Sequence, residues 1–306
     1  MVKCVAFEKG IAQKIDEDYH SSPLVKWIIF EKENDIELKK NIMEILNVDS
    51  LIIDDLLEEQ RPNLINFENF SVAVIGFPKN KGNFDEKADI LQVTFIISKK
   101  MIISICDEKN EIINDVFKKI LNSRGIMGVT NIFSFILDKL VEKSVLILDK
   151  LEDELEEKEK MIFLGKKNKM FLFKNNDLKD NLYYLGKIFR SDLEVINDIM
   201  ANKINFLNLK YFGEHLQDRF LYLLDFCESL REFINSINNN YVSMINFDTN
   251  NHIYKLTIIG SLLIIPSIIS GFFGMNVDLP SLSFFEILIF TLILSFSSYF
   301  ILRLRF

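Results

Sequence analysis

The sequence predicts an α+β membrane protein with an N-terminal α/β domain, a long helical stalk and two C-terminal transmembrane helices. Three observations carry that prediction. Two apolar runs of about 20 residues each, 254–273 and 284–304, close the chain, and roughly 20 apolar residues are what an α-helix needs to cross a bilayer core. Apolar, β-branched runs alternate with a helical pattern across the first 125 residues. No proline occurs between Pro78 and Pro266, so nothing forces a helix in that interval to stop. The expected divisions are 1–125 (α/β), 126–253 (long helices and stalk) and 254–306 (transmembrane hairpin).

The elements of the first part follow from local patterns. Residues 26–30 (KWIIF) read as a short strand, with Trp27 in the core. Ile36, Leu38, Ile42, Ile45 and Leu46 recur at helical spacing over 35–46. Residues 69–77 (NFSVAVIGF) read as a strand ended by Pro78, and the polar segment 78–87 suits a hairpin loop. Two further β-rich runs, 92–97 and 101–106, flank Ser98-Lys99-Lys100. Together these make a sheet capped by helices.

From about Asn131 the period changes to 3.6. Ile132, Phe135, Ile136, Leu140, Val141, Leu146, Leu148 and Leu151 form one stripe. It enters a charged stretch, 149–160 (DKLEDELEEKEK). That stretch reads as a solvated face with i,i+4 pairs, or alternatively as an acidic surface that concentrates cations. A break is expected near 165–168, then a second helix over 178–207. Phe220, Leu221, Leu224, Phe226, Leu230, Phe233 and Ile237 mark a third, which can run from about Gly213 into the first span. The run Asn238-Asn239-Asn240 should weaken it locally.

Charge and motifs exclude several functions. The net charge is −8, and the last 51 residues hold only Asp278, Glu286, Arg303 and Arg305, which cancel. The acidity therefore belongs to the rest of the chain and argues against a nucleic-acid partner. It suits a cation. The 3 cysteines are scattered and read as reduced, buried thiols. No signal peptide is expected at the N-terminus. Arg303 and Arg305 against a loop at 276–283 without lysine or arginine place both termini inside, in a plasma-membrane, multi-pass arrangement. His20, His215 and His252 belong to no metal motif, and no nucleotide or acyl-transfer signature occurs. The chain is therefore not expected to be an enzyme or to need a cofactor.

The first span has chemistry of its own. Gly260, Ile264, Ser267, Gly271 and Gly274 fall on one helical face, which continues inward to Thr257, Ile253 and Asn250. Small residues at this spacing suit close helix packing and equally suit a narrow, neutral pore lining. The end of the span favours the pore. Gly274-Met275-Asn276 closes it, so an amide stands at the membrane mouth. Mg²⁺ dehydrates reluctantly, and a ring of neutral oxygens can bind its waters without holding the ion too tightly. Asp278 in the outer loop can raise the local cation concentration.

Here the sequence resembles the CorA-type divalent-cation channels, a two-span superfamily. Leu256-Thr257, Ile265-Pro266-Ser267 and Ser270-Gly271-Phe272-Phe273-Gly274-Met275-Asn276-Val277 are similar to the family's LT…P[ST]…GMN core at the same spacings. Tyr241-Val242-Ser243 resembles the turn before the pore helix, 148–157 resembles the acidic helix, and Gln60-Arg61-Pro62 resembles a family strand signature. The resemblance implies a homopentameric funnel that admits Mg²⁺, with Co²⁺ and Ni²⁺ as further ions. It implies a filter at Gly274, Met275 and Asn276, and a lining of Gly271, Ser267, Ile264, Leu256, Ile253 and Asn250. Intracellular Mg²⁺ is then a regulatory ion, sensed by carboxylates shared between subunits. Asp55 resembles one of them, but Asn239 stands where its partner should be. This implies a weaker or relocated regulatory site, with Asp54, Asp55 and Asp248 as candidates. Two alternatives stand beside this reading: a transporter of Zn²⁺ or another divalent metal in the same superfamily, and a non-conducting scaffold tethered to the membrane.

Overall fold

A computed structural model describes residues 2–8, 11–15, 24–32, 35–50, 53–54, 61–79, 90–107, 111–122, 128–165, 170–204, 207, 212–275 and 283–305. They form two compact units, Met1–Ile237 and Asn238–Phe306.

The first unit is built on a seven-stranded sheet, in the order β2-β1-β3-β7-β6-β5-β4. The strands are β1 (Val2–Glu8), β2 (Ile11–Ile15), β3 (Val25–Lys32), β4 (Asn63–Asn66), β5 (Ser71–Pro78), β6 (Ile90–Ile97) and β7 (Met101–Asp107). Only β3 and β7 pair in parallel; the other neighbours are antiparallel. The middle strands are covered on both faces, which explains their unbroken apolar runs. On one face Ile28, Phe30, Val72, Val74, Ile96 and Ile103 pack with Leu38 and Ile42 of α1 (Asp35–Leu46). On the other, Trp27 approaches Phe117 of α2 (Glu111–Leu121), with ring centroids 6.0 Å apart. Its indole N–H donates to Ser104 Oγ at 2.9 Å, so the buried polar end of Trp27 is satisfied.

Strands 26–30, 69–77, 92–97 and 101–106 are thus present with small shifts in their ends, and α1 matches its predicted span. Local sequence patterns do not mark β1, β2, β4 or α2. The strands β2 and β4 are edge pieces of only 5 and 4 residues, too short to show a clear period of 2.

Three helices complete this unit: α3 (Val129–Phe163), α4 (Phe171–Asp198) and the first part of α5 (Gly213–Phe273). A π-helical turn, Ile199–Lys203, follows α4. The predicted stripe on α3 needs correction. Leu146 is exposed and Phe135 only half-buried, while Phe133, Leu137 and Ile147 face the core. Phe133 meets Phe95 edge-on at 5.3 Å. The buried face runs Phe133, Leu137, Leu140, Ser144, Ile147, Leu151, Leu155 at steps of 3 and 4, and the predicted Ile132, Ile136, Val141 and Leu148 are buried beside it. The same correction applies to α5. Leu216, Phe220, Leu223, Cys227, Leu230, Ile234 and Ile237 are buried, whereas Leu221 is exposed and Leu224 and Phe233 are only partly covered. Steps of 4 and 3 again make a heptad seam.

The charged stretch on α3 is a solvated face, the first of the two readings open to it. Leu151 and Leu155 point inward, and Lys160 pairs with Glu156 at 3.4 Å across i,i+4. The second helix starts at Phe171 rather than 178. The helix α5 passes through Asn238–Asn240 without a break, and Tyr241–Ser243 is helical, not a turn. Packing of the seam outweighs the modest helix penalty of three asparagines.

Polar clamps tie α5 to its neighbours. Asp138 of α3 accepts from the Arg219 guanidinium and lies 3.5 Å from His215 Nε2. Further along, the Arg231 guanidinium stacks over Tyr183 of α4 at 5.2 Å, and Lys179 Nζ donates to Asn235 Oδ1 at 2.9 Å. Cys4, Cys106 and Cys227 form no disulfide and are buried, as expected.

Candidate functional site

The second unit contains the rest of α5 and the helix α6 (Phe284–Arg305). The helix α5 holds an apolar window long enough to cross a membrane, and none of that window is buried within the chain. The apolar stretch described in α6, Phe284–Phe300, is shorter. The start of α6 is set by a reciprocal capping box: the Ser283 N–H donates to Glu286 Oε2 at 2.8 Å, and the Glu286 N–H donates to Ser283 Oγ at 3.4 Å.

One face of α5 carries the predicted lining. Asn250, Ile253, Thr257, Gly260, Ile264, Ser267 and Gly271 succeed one another at steps of 3 and 4 within continuous helix, Gly274 follows in the turn just past its end, and Leu256 lies at the margin of the same face. Ile253, Leu256 and Ile264 are 56%, 72% and 58% exposed, so no partner within the chain covers them. A side chain added at Gly260 or Gly271 would touch nothing within 4 Å. These glycines are therefore not explained by packing inside one chain.

The hydroxyls on this face have a defined direction. Thr257 Oγ1 donates to the Ile253 carbonyl at 2.9 Å, and Ser267 Oγ donates to the Leu263 carbonyl at 2.9 Å. Back-bonding of this kind uses the hydroxyl hydrogen and leaves oxygen lone pairs outward. The polar atoms offered are acceptors, which suit the waters of a hydrated cation. Pro266 sits within the helix and lacks an amide hydrogen, yet α5 continues to Phe273. The helix ends with the Gly274 N–H on the Ser270 carbonyl at 2.9 Å and the Met275 N–H on the Phe272 carbonyl at 3.2 Å. Met275 is exposed.

Asn276 and Asp278 lie outside the described residues, as does Asp55. Asp54 is described: its carboxylate pairs with Lys39 Nζ of α1 at 2.6 Å. Asn239 is exposed and Asp248 half-buried on α5. Among the described residues no cluster of three or more His, Cys, Asp or Glu side chains could hold a metal ion. A cation site made of neutral oxygens does not depend on such a cluster.

One feature of the first unit had no sequence signal. Asp192 of α4 is fully buried and accepts the Gly76 N–H of β5 at 3.0 Å. Burial pushes its carboxyl well above the usual carboxylate range, against the weaker opposing effect of that hydrogen bond.

A family model described as "CorA-like Mg2+ transporter protein" matches residues 24–304. The chain is 25% identical over 287 residues to the cobalt/magnesium transport protein CorA of Methanocaldococcus jannaschii, covering 90% of this chain and 88% of that one. It is 24% identical over 267 residues to the protein of the same description from Thermotoga maritima, covering 85% and 75%. Among solved structures, the complete CorA magnesium transporter of M. jannaschii superposes with a TM-score of 0.82 at 21% identity, covering 100% of this chain and 97% of that one. The cytoplasmic domain of ZntB from Vibrio parahaemolyticus gives 0.64 at 14% identity, covering 81% and 98%. These structural likenesses speak for the fold.

Proposed function

The chain belongs to the CorA-like Mg²⁺ transporter family, and from that premise we propose that it is a membrane channel for divalent cations, Mg²⁺ foremost and Co²⁺ or Ni²⁺ with it. The observation that carries this reading is the α5 face from Asn250 to Gly274. It is unburied within the chain, spaced as one helical stripe, and furnished with outward acceptor oxygens and glycines that no contact inside the chain explains.

Several copies must share the pore, because one helix has one such face and cannot enclose a conduit. The family suggests a homopentamer. In this reading 1–125 and 126–253 form the cytoplasmic part, 254–306 crosses the plasma membrane twice, and both termini are cytoplasmic. Gly274, Met275 and Asn276 form the outer filter, where amide oxygens receive the hydrated ion and Asp278 enriches cations nearby. Below it Gly271, Ser267, Ile264, Gly260, Thr257, Leu256, Ile253 and Asn250 line the path. Ile264, Leu256 and Ile253 supply apolar girdles that close by dewetting. Flux is passive: a divalent charge gains about 4.6 kcal/mol per 100 mV of inside-negative potential, so no nucleotide site is needed. Intracellular Mg²⁺ regulates the pore through a site that uses Asp54 and Asp55.

The test is Mg²⁺ uptake into proteoliposomes, with cobalt hexammine as a mimic of the hydrated ion and Zn²⁺ as competitor. Uptake blocked by hexammine and lost in Asn276→Ala is expected. Flux that survives Asn276→Ala with the same ion preference refutes the filter, and a Zn²⁺-selective flux supports the zinc alternative instead. A monomer in detergent removes the shared pore altogether.

A further inference from the structure

The stripe on α5 does not begin at Asn250. Continued inward within the second unit, the same alternation passes through Asn246, Ser243 and Asn239, all in continuous helix and all exposed. From Asn239 to Gly271 the steps run 4, 3, 4, 3 without a slip. The four innermost positions of this line are three amides and one hydroxyl. Charge is kept off it. Between Asn238 and Phe273 the residues able to carry charge near neutral pH are Asp248, His252 and Lys255. They lie about 160°, 120° and 180° round the helix from Asn246.

The chain's own folding does not explain these amides. Asparagine is a poor helix former, because its side chain competes for nearby backbone groups. Exposure rules out a packing role for Asn239, Asn246 and Asn250 inside the chain. Among the described residues these three make no side-chain hydrogen bond, whereas Asn238 and Asn240, beside the line, do have partners. A residue type that weakens a helix, set three times on one exposed line, is a local cost of the kind found at functional positions. The chemistry on offer is that of neutral oxygens, which accept from the waters of a cation that dehydrates reluctantly. Asn250 and Asn246 are about 6 Å apart along the helix, and Asn239 is about 10 Å further in. Successive weak positions of this kind pass an ion on rather than trap it. They are also separate from the outer triplet: about 42 Å of helix divides Asn246 from Gly274, with Ile253 and Ile264 on the line between.

We propose that Asn246, with Ser243 and Asn239 further in, forms an inner station for hydrated divalent cations, an uncharged amide vestibule that continues the α5 stripe. The inference deepens the channel reading and rests on it, since several copies must bring these faces round one axis.

The test uses the full chain in proteoliposomes, with Mg²⁺ uptake followed over a range of Mg²⁺ concentrations. Asn246→Asp replaces each amide by a carboxylate, which holds the ion longer. Half-saturating Mg²⁺ and maximal uptake should both fall about fivefold. Asn246→Gln keeps the amide and should hold both within about twofold of wild type. Asn251→Asp is the control for added charge. It is exposed, about 140° round the helix from Asn246, and should leave both values unchanged. Exposed helix positions tolerate such changes, and size in detergent checks assembly. Should Asn246→Asp fail to assemble, Asn246→Cys and Asn251→Cys are treated with a thiol-reactive quaternary ammonium reagent. The native thiols are buried. Modification at 246 should cut uptake about fivefold and modification at 251 should spare it. Wild-type flux with position 246 behaving like position 251 in these assays overturns the station and leaves the channel reading intact. A wild-type chain that carries no Mg²⁺ refutes the channel reading itself, and the station with it.

Discussion

Replacing Asp192 is expected to separate a hydrogen-bonding role from a cost of charge. On its β4 side, β5 pairs only as far as Asn63↔Val74. That pairing stops short of Gly76, whose N–H donates instead to Asp192 Oδ1 at 3.0 Å. Gly76 also permits the close approach of α4, since a Cβ there would stand 2.5 Å from Ile188 Cγ2. Among the described residues Asp192 Oδ2 has no partner. Asp192→Ala leaves a buried amide unpaired, which costs about 1–3 kcal/mol. A loss of about 2 kcal/mol in a unit of this size lowers Tm by roughly 4–8 °C. Asp192→Asn keeps the acceptor oxygen and removes the charge. A carboxyl whose folded pKa is raised holds a proton that the unfolded chain has released, so stability falls as pH rises from about 4 through the folded pKa. The asparagine variant should therefore match wild type near pH 4 and melt higher as pH climbs. Thermal unfolding followed by circular dichroism across that range reads both effects. An asparagine variant as unstable as the alanine one, or a gap that ignores pH, refutes the reasoning.

Two other outcomes bear on the channel reading. Leu256→Ser wets an apolar girdle and should raise Mg²⁺ uptake under conditions where wild type is closed; unchanged uptake would remove Leu256 from the gate. Mg²⁺ protection against limited proteolysis should have a midpoint weaker than about 1 mM, as suits a site short of one carboxylate, and Asp54→Asn should shift it only partly, because Asp54 already pairs with Lys39. A submillimolar midpoint abolished by Asp55→Ala alone would show that one carboxylate suffices.

The apolar window of α5 and the α6 helix were legible because a bilayer acts as a solvent that dictates composition over some 20 residues at a time. The stripe on α5 was legible for a related reason: Asn250 to Gly274 keep their spacing whatever surrounds them. The strand at 71–78 and helix α1 also declared themselves through local period. The inward seams of α3 and α5 were only half legible. Their apolar residues outnumber one face, and which of Leu146 or Ile147, Leu221 or Leu223, turns inward depends on the partner helix.

What the sequence by itself determined is the apolar segment long enough to cross a membrane, the stripe along it and the glycine–methionine–asparagine triplet after it, all of them products of local composition and period. Tertiary structure alone decided the seven-strand order, the pairing of Asp192 with Gly76 and the exposure of Phe163 and Leu164 at the end of α3. The physical reason is range. A helix answers to neighbours three or four residues away, whereas Asp192 and Gly76 stand 116 residues apart, and only the closed chain brings such groups within hydrogen-bonding distance.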